Sequence, residues 1–424
     1  MYGIIFKTKK NPFINLPYVI IGVKMSSQIK RRTINFTFFL IAIIYLAPYS
    51  TMLETKAIWP TNGWETINPI SASMKANTLN GMDNYIENWN DAHPLSHLDS
   101  VVVFRNGYLV KDWYYLLWDA EDIHSLWSVT KSFTGTLMGI AIQEGFIPSV
   151  NEFVLDYFTD RNISNVDSRK EAITIEHLLM MSTGLAYPGD DFIWSSWMNA
   201  PDQVQFILNL PMATTPGSIF NYDTGGSHLL SAIIQEATNM TMVDFALQYL
   251  FKPLGITKFN WQADKQNITY GGHGLFLTPG DMAKLGYLYL NDGYWDGQKI
   301  LPTNWTQTVT QTEWGLGGGW GYAQQWWTQS YLNAYCARGR YGQSIFVLPE
   351  HDIIVVFTAS LSVSEEEPYI NIIANYVLSA LIDSVDPMVM LAYSIFFPLV
   401  IVTLTVFIIN TIILKKSKIE DRAH

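Results

Sequence analysis

Cysteine is nearly missing from this chain of 424 residues: Cys336 stands alone, so no intrachain disulfide can form and a CxxC redox or zinc pair is excluded. Basic residues are also scarce, with 26 Lys and Arg against 37 Asp and Glu and a formal net charge of −11. Binding nucleic acid requires Lys and Arg clustered against phosphate, and no such stripe occurs. The eight His residues form no metal-ligand pattern. His93 and His97 are four apart, but Pro94 lies between them and no HExxH glutamate follows His93. No metal or other cofactor is therefore expected. A GxSxG elbow is lacking too, which argues against a Ser-His-Asp hydrolase. There are no internal repeats and no low-complexity linker.

What the chain does have is apolar and aromatic mass, 49% and 14% of its residues. That is enough to bury a large core as one α/β domain or two closely joined ones. Residues 387–414 run for 28 positions without a formal charge. A helix needs about 20 apolar residues to cross the hydrocarbon layer, so 387–414 reads as a transmembrane helix. Lys415, Lys416 and Lys418 follow directly, which places the tail, 415–424, in the cytoplasm. Near the other end, Lys30, Arg31 and Arg32 precede an uncharged run over 33–53, in the order of a signal peptide or signal anchor. No clear cleavage site follows, and Met25 is a more natural start than Met1. Residues 1–53 thus read as an extension plus export segment, and 54–386 as a folded domain outside the cytoplasm. Sequons at Asn162, Asn239, Asn267 and Asn304 are compatible with that location.

Within the domain, residues 79–92 carry helical spacing. VVVFRNG and YLVKDWYYLLW read as two strands joined at Asn106-Gly107, a dipeptide suited to a tight hairpin. WSVTKSFTGTLMGIAIQE (127–144) reads as one helix ended by Gly145, and TIEHLLMMSTGL (174–185) as a short one. An aromatic-rich, irregular stretch, read as a loop or helix packed over the core, spans 187–216. Tyr187 and Trp194 are its candidate substrate-facing residues, set against plain packing over the core. A tight polar bend then leads into a helix within 216–238. Pro279 opens and Gly293 closes another helix. SIFVLPEHDIIVVFTASL reads as two strands, and a closing helix covers 368–382. Strands from both ends with helices between predict an α/β (α+β) fold, one antiparallel sheet flanked by helices with a helical insertion.

Ser128-Val-Thr-Lys131 is the candidate for chemistry. An acyl-enzyme needs a deprotonated hydroxyl, and serine alone is too weak an acid at neutral pH. On a helix, positions i and i+3 share a face, so an amine reaches the serine oxygen. Burial of an amine disfavours its charged form and makes it a proton acceptor. The helix N-terminus adds free amides and a positive dipole for an oxyanion. Spacing alone does not separate this from a capped helix with a surface lysine, since Ser27-Gln-Ile-Lys30 has the same spacing in the export segment.

The surroundings of Ser128 carry more. SLWSVTKSFTG resembles the nucleophile motif of the penicillin-recognising serine hydrolases, in the branch of class C β-lactamases, esterases and 6-aminohexanoate-dimer hydrolases. VVVFRNGYLVKDWYY resembles that family's opening hairpin, and TIEHLLMMSTGL its ITIxHLLxxTSGL stretch. PGSIFNYDTGG is similar to the segment carrying Y-x-N. GLFLTPGDMAKLGYLYLNDGYWDGQKILP and CARGRYGQSIFVLPEHDIIVVFT resemble its late segments. The six lie in order between Val101 and Ser360. The resemblance implies a β-lactamase/transpeptidase-like fold, with Ser128 as acylated nucleophile, Lys131 as its proton partner and Tyr222 completing the relay. It also implies an oxyanion hole from the backbone amides of Ser128 and Arg340, and substrate contacts at Thr224, Ala337 and Gly339.

Two positions depart from the family. Thr224 replaces the asparagine of Y-x-N, losing an amide's paired donor and acceptor. Ala337 replaces the lysine of K-T-G, the cation that attracts a β-lactam's carboxylate. Arg338 points to the opposite strand face from Ala337. Arg338 and Arg340 read as a solvated pair, and Asp190-Asp191 as a solvated loop. The expectation is a membrane-anchored hydrolase of a small-molecule ester or amide. The alternatives are a D-Ala-D-Ala-type peptidase or β-lactamase, and an inactive binding module held at the membrane.

Overall fold

The computed structural model describes residues 4–11 and 14–23 as backbone, and residues 58–362 and 368–382 in full. The chain divides into two units, 1–57 and 58–424. In the first, Ile4–Asn11 pairs antiparallel with Ile14–Val23, a hairpin that the sequence did not signal. The segments read as crossing the membrane, 33–53 and 387–414, lie outside the described residues, as does the tail. Among the described residues no helix is long and apolar enough to span a membrane.

In the second unit an eight-stranded antiparallel sheet runs in the order Trp314–Gly317, Trp320–Ala323, Trp326–Gln329, Ala334–Gly339, Gln343–Leu348, Ile353–Ser360, His97–Arg105, Tyr108–Tyr114. The first and last parts of the domain therefore meet one strand in from the edge formed by Tyr108–Tyr114, where Val103 pairs with Val355. The Asn106-Gly107 turn forms as expected, with φ of 53° and 81°, values that a tight hairpin requires at both central positions.

Side chains alternate across this sheet with the period of two that strand geometry imposes. Val101, Val103, Phe346, Val355 and Phe357 face one layer, Ala76–Ala92 and the closing segment from Tyr369 to Ala380. Val102, Phe104, Ile345, Val347, Ile354 and Val356 face the other, where Pro279–Leu290 and Val129–Gln143 pack. Burial on both faces explains why these strands read as apolar runs without alternation.

Between Tyr114 and Trp314 the chain builds the helical insertion around Val129–Gln143 and Thr224–Thr238, which pack on each other. Of the fifteen residues of Val129–Gln143, all but the last two are buried. Apolar residues all round such a helix mark a core element. The stretch read as irregular contains two helices, Asp190–Asn199 and Gln203–Leu208. Its Gly and Pro punctuation obscured their bounds, while Trp197, fully buried, supplies the packing that fixes the first.

Candidate active site

Ser128 ends a sharp approach: Trp127 has φ 48°, and Ser128 itself is the N-cap of Val129–Gln143. Its side chain makes no capping bond. The hydroxyl instead meets Lys131, whose Nζ donates to Ser128 Oγ at 2.8 Å and to the carbonyl of Gly272 at 3.0 Å. Lys131 is 1% exposed, so the reading of a surface lysine is excluded. Gly272 comes from a loop far along the chain, and Gly271 lets that loop close in. A Cβ on Gly271 would sit 2.0 Å from the carbonyl oxygen of Ser227.

Tyr222 arrives from the bend before Thr224–Thr238, a helix capped by Asp223, whose carboxylate accepts the amide of Gly226 at 2.9 Å. Nζ of Lys131 lies over the Tyr222 ring, 4.8 Å from its centroid. Trp327 and Tyr322 hold that ring at 5.7 Å and 6.2 Å between centroids. Ser128 and Tyr222, 94 residues apart in sequence, line one cleft of about 520 Å³, and the buried amine of Lys131 reaches Ser128 at its wall.

The sheet supplies the opposite wall. Strand Ala334–Gly339 ends against the start of Val129–Gln143, and a Cβ on Gly339 would lie 2.3 Å from the carbonyl of Leu126 and 3.1 Å from the amide of Ser128. Only glycine allows this approach, which brings the backbone at 339–340 beside the Ser128 amide. Ala337, in contrast, is fully buried in the core and does not line the cleft. Its inclusion among substrate contacts is corrected: two residues back along the strand, its side chain shares that of Gly339's face but is covered by helix packing.

Asp190 and Asp191 do not sit in a loop, and of the two only Asp191 is solvated. They open the Asp190–Asn199 helix and both line the cleft. Asp190 accepts from Thr224 Oγ1 at 2.6 Å and from the Tyr187 hydroxyl at 2.5 Å, so two hydroxyls aim its carboxylate. Asp191 pairs with Arg340 at 2.6 Å across the mouth. Arg338 stacks its guanidinium over Trp320, 4.1 Å from the ring centre, and also lines the cleft. Of the two arginines read as solvated, Arg340 is exposed as expected, while Arg338 is half-buried against Trp320. Tyr187, expected to face substrate, is 4% exposed, does not line the cleft, and donates its hydroxyl to Asp190. Burial, then the charges of Asp223 and Asp190, raise its hydroxyl well above the usual phenol range. Trp194 does line the cleft, with its ring 4.9 Å from that of His273.

His273 was not singled out by sequence. It lines the cleft beside Gly272, and burial together with the charge of Lys131 pushes its imidazole down to about 3, so it is neutral near pH 7. Trp127, Phe192 and Trp327 were missed for the same reason: lining a cleft leaves no mark on local pattern.

Asp223 is buried, and its carboxyl is pushed up to about 7, chiefly by desolvation and further by the nearby Asp190. A carboxyl that holds its proton more tightly when folded favours folding at low pH. That contribution is lost as pH rises from the unfolded value near 4 through about 7. Asp223→Asn keeps a good cap and removes the titration. The denaturant midpoint of the variant is expected to fall less steeply between pH 4 and 7 than that of the wild type; parallel profiles would contradict this.

Known proteins share this fold. The sequence model of the family described as Beta-lactamase matches residues 98–376. A 6-aminohexanoate-dimer hydrolase of Paenarthrobacter ureafaciens is 22% identical over 290 residues, 62% of this chain and 72% of that one. A lovastatin esterase of Penicillium rubens is 24% identical over 226 residues, 41% of this chain and 56% of that one. Among solved structures, a Bacillus anthracis protein provisionally assigned as a 6-aminohexanoate-dimer hydrolase superposes with a TM-score of 0.63 at 20% identity, covering 79% of this chain and 93% of its own. A class C beta-lactamase gives 0.55 at 16%, covering 72% and 97%.

Proposed function

This chain belongs to the beta-lactamase family, and from that premise we propose that it is a serine hydrolase cleaving an ester or small amide through a seryl-acyl intermediate at Ser128. The carrying observation is the 2.8 Å contact between the buried amine of Lys131 and Ser128 Oγ. As a free amine, Lys131 takes the hydroxyl proton while Oγ bonds to the substrate carbonyl carbon. The carbonyl oxygen becomes an oxyanion facing the amides of Ser128 and Arg340 at the helix start. The proton passes, by way of the Tyr222 phenol, to the departing alcohol or amine as the carbonyl–heteroatom bond breaks. Water then attacks the acyl-enzyme, gives its proton to the same pair, and returns Ser128 as an alcohol.

Ester or small-amide preference follows from what the cleft offers. With Ala337 buried, that strand position supplies no cation for a substrate carboxylate. Arg340 is engaged by Asp191 and Arg338 is stacked on Trp320. The curated relatives include an esterase and an amide hydrolase, which supports the same range. Domain placement outside the cytoplasm, tethered through 387–414, rests on the uncharged run and the lysines after it.

A fluorophosphonate probe tests the reaction class. Wild-type protein is expected to become labelled and Ser128→Ala to remain unlabelled. Equal labelling of the two would remove Ser128 from the role of nucleophile. Competition of that labelling by penicillin, rather than by simple esters, would move the substrate class to β-lactams.

A further inference from the structure

The two ends of the catalytic domain leave it at one place, and that place is the far end of the sheet from Ser128. At the domain's start, the carbonyl of Ile58 accepts from the Tyr287 hydroxyl at 3.1 Å, beside the Asn106-Gly107 turn. At its close, the amide of Ile382 donates to the carbonyl of Ser73 at 3.0 Å, and the same carbonyl accepts from Arg105 Nη1 at 2.9 Å. Arg105 is the last residue of its strand, directly before that turn. The register carries the cleft to the opposite end. Gly339, against Ser128, pairs with Gln343; Ser344 pairs with Phe357, Thr358 with Ser100 and Ser360 with His97. The row of Gly339 and Gln343 thus meets Thr358 and Ser100, and Ser100 to Arg105 spans five steps, about 17 Å at the rise of an antiparallel strand.

We infer that the end of the domain formed by Pro69–Met74, Lys75, Arg105 and Ile382 rests on a lipid bilayer, so that the cleft opens about 17 Å away from it, toward the aqueous phase. This rests on the reading that 387–414 crosses a membrane. Only 383–386 separate Ile382 from that run, and 54–57 separate Ile58 from the uncharged run over 33–53. Four residues reach about 14 Å at full extension, so the bilayer must meet the domain where the chain leaves it. The surface there suits it. Ile70 is 65% exposed and Ile382 42%, with exposed Lys75 and half-buried Arg105 beside them. Apolar side chains flanked by cations fit the boundary between acyl chains and anionic headgroups. Asp352, near Arg105, is the acidic group that partly offsets them.

The competing surface lies at the cleft end: Leu95, Leu116 and Leu117 are 95%, 79% and 96% exposed, in the loops that begin strand His97–Arg105 and follow strand Tyr108–Tyr114. If that end met the membrane, substrate would enter from lipid. The full chain, reconstituted in vesicles of phosphatidylcholine and phosphatidylglycerol containing doxyl-lipid quencher, distinguishes the two. A fluorophore is placed on Ile70→Cys or on Leu117→Cys, both exposed enough to leave the fold unchanged, with the unsubstituted chain as labelling blank. The Ile70 label is expected to be quenched at least twofold more than the Leu117 label. Stronger quenching at Leu117, equal quenching, or quenching at neither in a chain that floats with the vesicles overturns the orientation while leaving membrane attachment standing. A chain that does not float with the vesicles overturns both.

Discussion

Replacing Lys131 by methionine is expected to lower ester hydrolysis by about four orders of magnitude or more, with little effect on substrate binding. Methionine matches the length of the lysine stem and fills the same buried space, so packing is nearly preserved. What it removes is the one amine within reach of Ser128 Oγ, held there by its second bond to the Gly272 carbonyl. Without a base, the hydroxyl stays protonated and attacks too slowly. The Gly272 carbonyl also loses its donor, which costs about 1–3 kcal/mol in stability. A denaturation midpoint measured in parallel separates that loss from the catalytic one. Steady-state kinetics on a short-chain ester is the check. If Lys131→Met retains more than a tenth of wild-type kcat, the amine is not the base and the mechanism fails at its first step.

Tyr222→Phe is expected to cost less, about 10²- to 10⁴-fold in kcat, the range for loss of a positioned proton carrier. The ring is kept, and with it the packing against Trp327 and Tyr322 and the face under Lys131 Nζ. Only the hydroxyl is lost. Because that hydroxyl serves the departing group, the penalty is expected to grow with the basicity of the leaving group. Amides and alkyl esters should suffer most, and a nitrophenyl ester, whose leaving group departs without a proton, least. An equal loss across that series would remove the phenol from the relay and leave it a packing residue.

Asp190 shows why parts of the site resisted reading from sequence. A pair of acids after Pro188-Gly189 has the composition of a solvated turn. Its contacts come from Thr224, 34 positions later, and from Arg340, 149 positions from Asp191. Neither distance leaves a periodic trace. Strands Trp314–Gly317, Trp320–Ala323 and Trp326–Gln329 also escaped, because WGLGGGWGYAQQWWTQ is too rich in glycine to read as strand. Trp326–Gln329 pairs with Ala334–Gly339, Trp320–Ala323 with Trp326–Gln329, and Trp314–Gly317 with Trp320–Ala323, so each forms on the strand next to it in the sheet.

By itself the sequence determined the antiparallel hairpin at Asn106-Gly107, the helix that carries Ser128 and Lys131 on one face, and the buried strands at the domain's end. Each of these is a local property, fixed by turn chemistry, by the spacing of i and i+3, or by a run of apolar residues. Tertiary structure alone decided that Lys131 is buried, that the Tyr222 ring lies beneath its Nζ, that Ala337 is sealed in the core, and that Asp190 and His273 join the cleft. Burial and convergence depend on which distant segments pack together, and packing sums many weak contacts that no short window of sequence contains.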